Sequence, residues 1–176
     1  MPSRVLAVTG TPCTGKTTLC KKISPALGYP VIDLNELVKK ERLFSGHDKA
    51  RDTKVVDVRK LKRRVHSLID SDTILDGLLS HLLNPTHILV LRCDPRLLVM
   101  RMKKRGYSRE KIMENLEAEY VGVLLEESMR LCDNVLELDN TNGANVGKII
   151  GWVRHGGEKI IYKDWSKEFI RTISKL

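Results

Sequence analysis

Gly10-Thr11-Pro12-Cys13-Thr14-Gly15-Lys16-Thr17 matches the pattern G-x-x-x-x-G-K-[ST] in full. The match stands directly after a wholly apolar run, Val5-Leu6-Ala7-Val8, and opens a segment, Lys16–Leu27, that reads as a helix stopped by Gly28. A strand buried on both faces, a glycine-rich turn and a helix N-terminus, in that order, form the setting in which this pattern makes a phosphate cradle. Gly10 and Gly15 let the backbone bend where a side chain would clash with phosphate. The amides from Cys13 through Thr14, Gly15, Lys16 and Thr17 to Thr18 form an anion nest reinforced by the helix dipole. In this arrangement Cys13 contributes its backbone and not its thiol. Lys16 reaches the β- and γ-phosphates of ATP, and the Thr17 hydroxyl ligates Mg²⁺. Thr18 either adds a hydroxyl to the α-phosphate or is an ordinary first-turn residue.

A magnesium site needs a second oxygen donor at the carboxyl end of another strand. Asp76 closes Thr73-Ile74-Leu75 and precedes Gly77. Asp-Gly can also be a plain turn, but beside a P-loop this carboxylate falls where a metal-holding acid is required. Further along, Val31-Ile32, His87–Leu91 and Val135–Leu138 read as strands. Asp33, with Glu36 three residues on, starts a helix over Leu34–Arg42. Asp57–Ile69, Pro95–Arg105 (capped by Asp94 and ended by Gly106), Ser108–Leu131 and Ala144–Arg154 read as further helices, and 44–54 as polar and irregular with Gly46 as a hinge. Alternation of strands and helices predicts an α/β P-loop NTPase fold, a five-stranded parallel sheet with helices on both faces, in one domain. After Gly156-Gly157, Ile161, Trp165, Phe169 and Ile173 recur at helical spacing, which predicts an amphipathic tail helix, over 157–176, lying on the domain.

With 176 residues, 41% of them hydrophobic and 30% charged, the chain suits one globular domain. Its apolar runs are only four or five residues, against the roughly 20 that cross a bilayer. Met1-Pro2-Ser3-Arg4 leads straight into the first strand without an apolar signal segment, so the expectation is a cytoplasmic protein with no membrane contact. The four cysteines lack metal or redox spacing. Formal charge is +9, and the excess is uneven: 11 basic against 4 acidic residues over 39–64, 6 against 2 over 101–114, and 7 against 3 over 148–176. Any one cluster is accounted for as a solvated helix face. Together, in a polyphosphate-binding chain, they point to a nucleic-acid contact.

The loop Gly-Thr-Pro-x-x-Gly-Lys-Thr-Thr, the segment Arg105-Gly106-Tyr107, and the stretch through Asn115, Glu119 and Leu125-Glu126-Glu127-Ser128 resemble one family. It is the archaeal and nuclear adenylate kinases that also act as ribosome-assembly ATPases, the adenylate kinase isoenzyme 6 type. The likeness runs from about Arg4 to Trp152. It implies an adenylate-kinase-like fold with a nucleoside-monophosphate arm over about 33–56 and a lid over about 104–114. Arg105 matches the lid arginine that contacts ATP, and Asn142 falls near the adenine-contacting loop, although Asn-Gly is also a plain turn. Asp33, Lys39 and Asp57 fall in or beside the AMP arm, where helix capping also explains Asp57. The implied partners are ATP with Mg²⁺, AMP, a small-subunit ribosomal protein of the uS11 type and rRNA. Two departures stand out. The family carries Asp-x-His where this chain has Asp76-Gly77-Leu78, with His81 one turn on, and an arginine where it has Lys39. The implied reaction is ATP + AMP = 2 ADP, catalysed by Lys16, Arg105 and Asp76, with ATPase activity in question because of Leu78. The alternatives are a nucleotide-gated assembly protein with little turnover, or a P-loop kinase for another small acceptor.

Overall fold

Five short apolar runs become a parallel sheet in the computed structural model, which describes residues 3–48, 53–156 and 164–176. Numbered in chain order among all strands, they are β1 (Val5–Thr9), β2 (Val31–Asp33), β5 (Thr73–Asp76), β6 (His87–Arg92) and β7 (Val135–Asp139), arranged β2-β5-β1-β6-β7. The central strand β1 pairs in parallel with β5 on one side and β6 on the other. The chain therefore leaves β1 at a switch point, and the carboxyl edge there is where open α/β sheets take ligands.

Side-chain alternation on β1 explains why both faces need helices. Leu6 and Val8 meet α1 (Lys16–Leu27) and α7 (Val146–His155) through Ile23, Ile149 and Trp152. On the other face Val5 joins Leu34, Leu61 and Val65 of α2 (Leu34–Lys40) and α3 (Val58–Leu68), while Ala7 joins Leu125 of α6 (Val123–Leu131). Each fully buried Leu or Ile contributes about 2 kcal/mol, so the sheet is a firm base for loops at its edge. No helix of the described residues is long and apolar enough to cross a membrane.

Three expectations need correction. The stretch predicted to be irregular forms an antiparallel ribbon of β3 (Phe44–Asp48) and β4 (Thr53–Val56), with a register shift between Phe44 and Gly46. Gly46 is thus part of a strand. Among the described residues of the ribbon, Phe44 and Val56 pack against the α2–α3 cluster, while Lys54, on the face of Val56, reaches over the Phe44 ring and Val55 is exposed on the other face, so no period-two signal shows. The helix predicted over 108–131 is two: α5 (Arg109–Val121) ends at Gly122, whose φ of 73° no helix interior adopts, and α6 starts there. Apolar spacing carries across the break and hides it. Helix α2 also stops at Lys40, short of Arg42, which has a positive φ of 53°.

The last helix, α8 (Ser166–Ile173), lies on α5 and on α4 (Pro95–Lys104). Trp165 and Phe169 are buried, and the Phe169 ring stacks on Tyr120 at 4.2 Å between centroids. Ile161 lies outside the described residues.

Candidate active site

The loop between β1 and α1 is held by its own surroundings as much as by its glycines. A Cβ on Gly10 would stand 2.5 Å from the Leu91 carbonyl oxygen, and one on Gly15 2.6 Å from Asn140 Nδ2. Gly15 also has a φ of 99°, in the left-handed region. Both glycines are therefore required by the protein's own packing, before any phosphate is considered. Cys13, with φ of 72°, is the strained non-glycine residue of the loop, and its carbonyl accepts from Arg101 Nη1 at 3.0 Å. Thr14 is buried, and its hydroxyl donates to the Thr11 carbonyl at 2.9 Å. Helix α1 has no side-chain cap, so its first-turn N–H groups have no competing side-chain acceptor at the cap.

Lys16 folds back over this loop. Its ammonium donates to the Gly10 carbonyl at 2.7 Å and the Thr11 carbonyl at 2.9 Å. Burial pulls its pKa from 10.5 to about 8, against opposing attraction from Asp76, Cys13 and Glu119. Asp76, at the end of β5 beside β1, is itself buried, and burial pushes its carboxyl up; a hydrogen bond from the Thr17 side chain works against that shift. A buried carboxylate touching a hydroxyl is an oxygen donor set that fits a hard divalent cation, whose charge would offset the cost of burying Asp76.

Three cavities meet around this loop. One of about 540 Å³ is lined by Gly15, Thr18, Arg101, Arg105, Asn140 and Ala144. A second, of about 1230 Å³, lies over the β3–β4 ribbon and is lined by Leu34, Val38, Lys39, Phe44 and Leu78 among others. The third, of about 240 Å³, sits between them with Lys16, Thr17, Arg105 and Tyr107 on its walls. It shares Cys13, Gly15, Thr18 and Arg105 with the first cavity, and Asn35 and Leu78 with the second.

The predicted residues divide accordingly. Cys13, Gly15, Lys16, Thr17, Thr18, Arg105 and Lys39 reach cavity walls. Six do not line them: Gly10 and Thr14 are buried within the loop itself, Asp76 is buried at the end of β5, and the others are Asn142, Asp33 and Asp57. Asn142 is exposed, and the loop after β7 presents Asn140, Gly143 and Ala144 in its place. Asp33 caps α2 through one oxygen, Oδ1, which accepts from the Asn35 and Glu36 amides at 2.8 and 3.0 Å, and it stands opposite Asp76 in the β2–β5 register. Asp57 caps α3, accepting from the Lys60 amide at 3.0 Å. His81 is buried beside the end of β1 and lines none of the three cavities, with Nδ1 3.1 Å from the Leu78 carbonyl and 3.4 Å from Thr9 Oγ1, and Nε2 3.0 Å from Glu127. It does not stand in for a histidine at position 78.

Asn140 was missed by sequence reasoning. Its amide nitrogen donates to the Thr14 carbonyl at 2.8 Å and its oxygen accepts from the Ala144 amide at 2.7 Å, so it pins the phosphate loop to the loop after β7. The signal that singled out Asp76, a polar residue just past a buried strand, applies equally to Asn140. Arg101 was missed too, because within α4 it looks like any basic helix residue.

A parallel sheet in this order, with a lysine-bearing glycine loop at the switch point and cavities on either side of it, defines a P-loop NTPase of the kinase type. Comparison with known proteins agrees. Residues 6–122 match a family model described as "AAA domain". A protein of Methanocaldococcus jannaschii named "Putative adenylate kinase" is 40% identical over 169 residues, covering 93% of this chain and 94% of that one. A protein of the same name from Pyrococcus abyssi is 38% identical, with 98% and 97% covered. The chain belongs to this archaeal family. Among solved structures, a Chloroflexus aurantiacus protein titled a putative kinase has a TM-score of 0.55 at 18% identity, covering 90% of this chain and 100% of that one. The Bacillus subtilis YorR protein, solved with phosphorylated GDP, has a TM-score of 0.53 at 18% identity, covering 85% and 93%. At that identity both speak to the fold.

Proposed function

We propose that this protein is a nucleoside monophosphate kinase of the adenylate kinase type, which moves the γ-phosphate of ATP to AMP. The observation that carries this is the order of the cavities: the one holding Lys16 and Arg105 joins a cavity at the phosphate loop to a larger one over the ribbon. Donor and acceptor would then approach the same cationic centre from opposite sides, as in-line transfer requires. The donor base would lie toward Asn140 and Ala144, and the acceptor over Val38 and Phe44 with its phosphate near Lys39. Thr17 and Asp76 would hold Mg²⁺, which when bound offsets charge on the phosphates. Lys16 and Arg105 would stabilise charge on the transferring group, and segment 104–114 would act as the lid. Leu78, 38% exposed between the two outer cavities, puts an apolar side chain where water would otherwise approach, which favours transfer over hydrolysis.

The test is ADP production from ATP–Mg²⁺ with and without AMP, CMP, GMP, UMP or dAMP. Strong stimulation by AMP or dAMP is expected. Tight ATP binding with no stimulation by any monophosphate would defeat the kinase reading and favour a nucleotide-gated binding protein.

One observation favours a second role. Arg59, Lys60 and Arg63 of α3 face solvent beside the acceptor cavity. Such a surface suits rRNA, and with it a small-subunit ribosomal protein of the uS11 type, in ribosome maturation in the cytoplasm, with any ATPase activity weak. Binding to a small-subunit rRNA fragment should fall steeply with salt and weaken in Arg59→Glu/Arg63→Glu. Unchanged binding would remove this role.

A further inference from the structure

The phosphate loop is tied to a helix far away in the sequence. Thr11 is buried, and its hydroxyl donates to Glu119 Oε2 at 2.7 Å, across 108 residues. The other carboxylate oxygen of Glu119 accepts from Arg92 Nε at 2.8 Å and from the Cys93 amide at 3.1 Å. Glu119 is only 3% exposed and sits in the last turn of α5, three residues before the break at Gly122. On its backbone side, Thr11 accepts the Lys16 ammonium and the Thr14 hydroxyl. A single residue thus faces α5 with its side chain and the lysine with its carbonyl.

A core ion pair alone does not account for this arrangement. Arg92 also donates to Glu137 Oε1 at 2.6 Å, and that pair by itself would neutralise the guanidinium. Glu137 Oε2 is buried without a hydrogen-bond partner among the described residues, so the cluster already has acceptor capacity to spare. Glu119 adds a second buried carboxylate, a cost that its grip on the loop explains. Its oxygens are all engaged, and the one not used by Arg92 and Cys93 is aimed at Thr11.

We infer that Glu119 is a positioning residue: it fixes Thr11, and through the Thr11 carbonyl the Lys16 ammonium, at the height where the loop receives the β- and γ-phosphates. Because α5 begins inside segment 104–114, the same carboxylate sets the phosphate loop relative to the helix that runs out of the lid. This rests on the reading of the loop as the ATP site, and not on the identity of the acceptor.

The test is a double-mutant cycle in the full chain with Thr11→Val, Glu119→Gln and both together, and Thr11→Ser as the conservative control. It is read by calorimetric ATP–Mg²⁺ affinity, by AMP-dependent ADP release and by thermal melting. Each single variant should weaken ATP binding about tenfold and slow turnover at least as much, since small misplacements of a cradle are costly. Thr11→Ser, which keeps the hydroxyl, should stay within about twofold of wild type. The double variant should be no worse than the weaker single by more than about twofold, because each takes away the same charge-assisted bond between Thr11 and the carboxylate of residue 119. Additive losses, or wild-type affinity in Thr11→Val with only a lower melting point, overturn the inference. Should Glu119→Gln fail to fold, the Thr11→Val and Thr11→Ser pair decides alone. Wild type that binds ATP but releases no ADP with any monophosphate refutes the kinase reading and leaves the binding cycle to judge Glu119.

Discussion

Lys16 is expected to take up a proton when ATP binds. Burial holds its pKa at about 8, against 10.5 for an ordinary lysine, while its ammonium leans on two loop carbonyls. A polyphosphate in the loop would replace those neutral partners with negative charge and favour the ammonium form. The sign follows: the neutral lysine, present as pH rises through 8, must gain a proton before it pairs. At pH 7 the lysine is already charged, and uptake should be about 0.1 proton or less; at pH 8 it should be about half a proton, and at pH 9 about nine-tenths. Apparent ATP affinity should accordingly be flat below pH 7 and fall toward about tenfold per pH unit well above 8. Calorimetry in pairs of buffers with different ionisation enthalpies measures the uptake directly. The triphosphate is itself fully ionised at pH 9, so that arm isolates the protein. Lys16→Arg, whose side chain keeps its charge throughout, should show no uptake there. Equal uptake by wild type and Lys16→Arg at pH 9, or none by either, would refute the argument.

Other outcomes follow from the cavity walls and the helix break. Leu78→His puts an imidazole between the two outer cavities, so acceptor-free ATP hydrolysis should rise about tenfold or more while AMP-dependent turnover changes less. Equal or unchanged rates would remove the role given to Leu78. Lys39→Arg should lower the KM for the monophosphate about fivefold, as a guanidinium grips phosphate with two bonds; an unchanged KM would mean that residue 39 does not touch it. In Gly122→Ala the new Cβ finds room, with Arg92 Nη1 3.6 Å away, but the φ of 73° is strained. Melting should fall about 2–4 °C for a cost of about 1 kcal/mol, and no change would show that the α5–α6 corner adapts.

The loop, the five strands and most helix starts were legible because each rests on a local rule. Asp33, Asp57, Asp94 and Ser108 all cap the helices they precede. What stayed hidden depends on partners distant in sequence. The β3–β4 ribbon is ordered by packing of Phe44 and Val56 on helices, not by its own alternation. Gly122 interrupts a helix whose apolar spacing runs on unbroken. The same limit separates Asn142 from Asn140: both stand in one loop, and only the fold decides which reaches the Thr14 carbonyl. Asp33 and Asp57, two carboxylates that proximity to the acceptor arm made attractive, each cap a helix through Oδ1.

Cys13 carries a consequence for the far end of the chain. Its side chain belongs to the same buried cluster as Met102 of α4, Leu116 of α5 and Phe169 of α8. The strained turn of the phosphate loop therefore rests on a wall that residues 166–173 help to build. Whatever grips or displaces α8 from outside presses on the foundation of the nucleotide cradle, so the two ends of this chain share one mechanical fate.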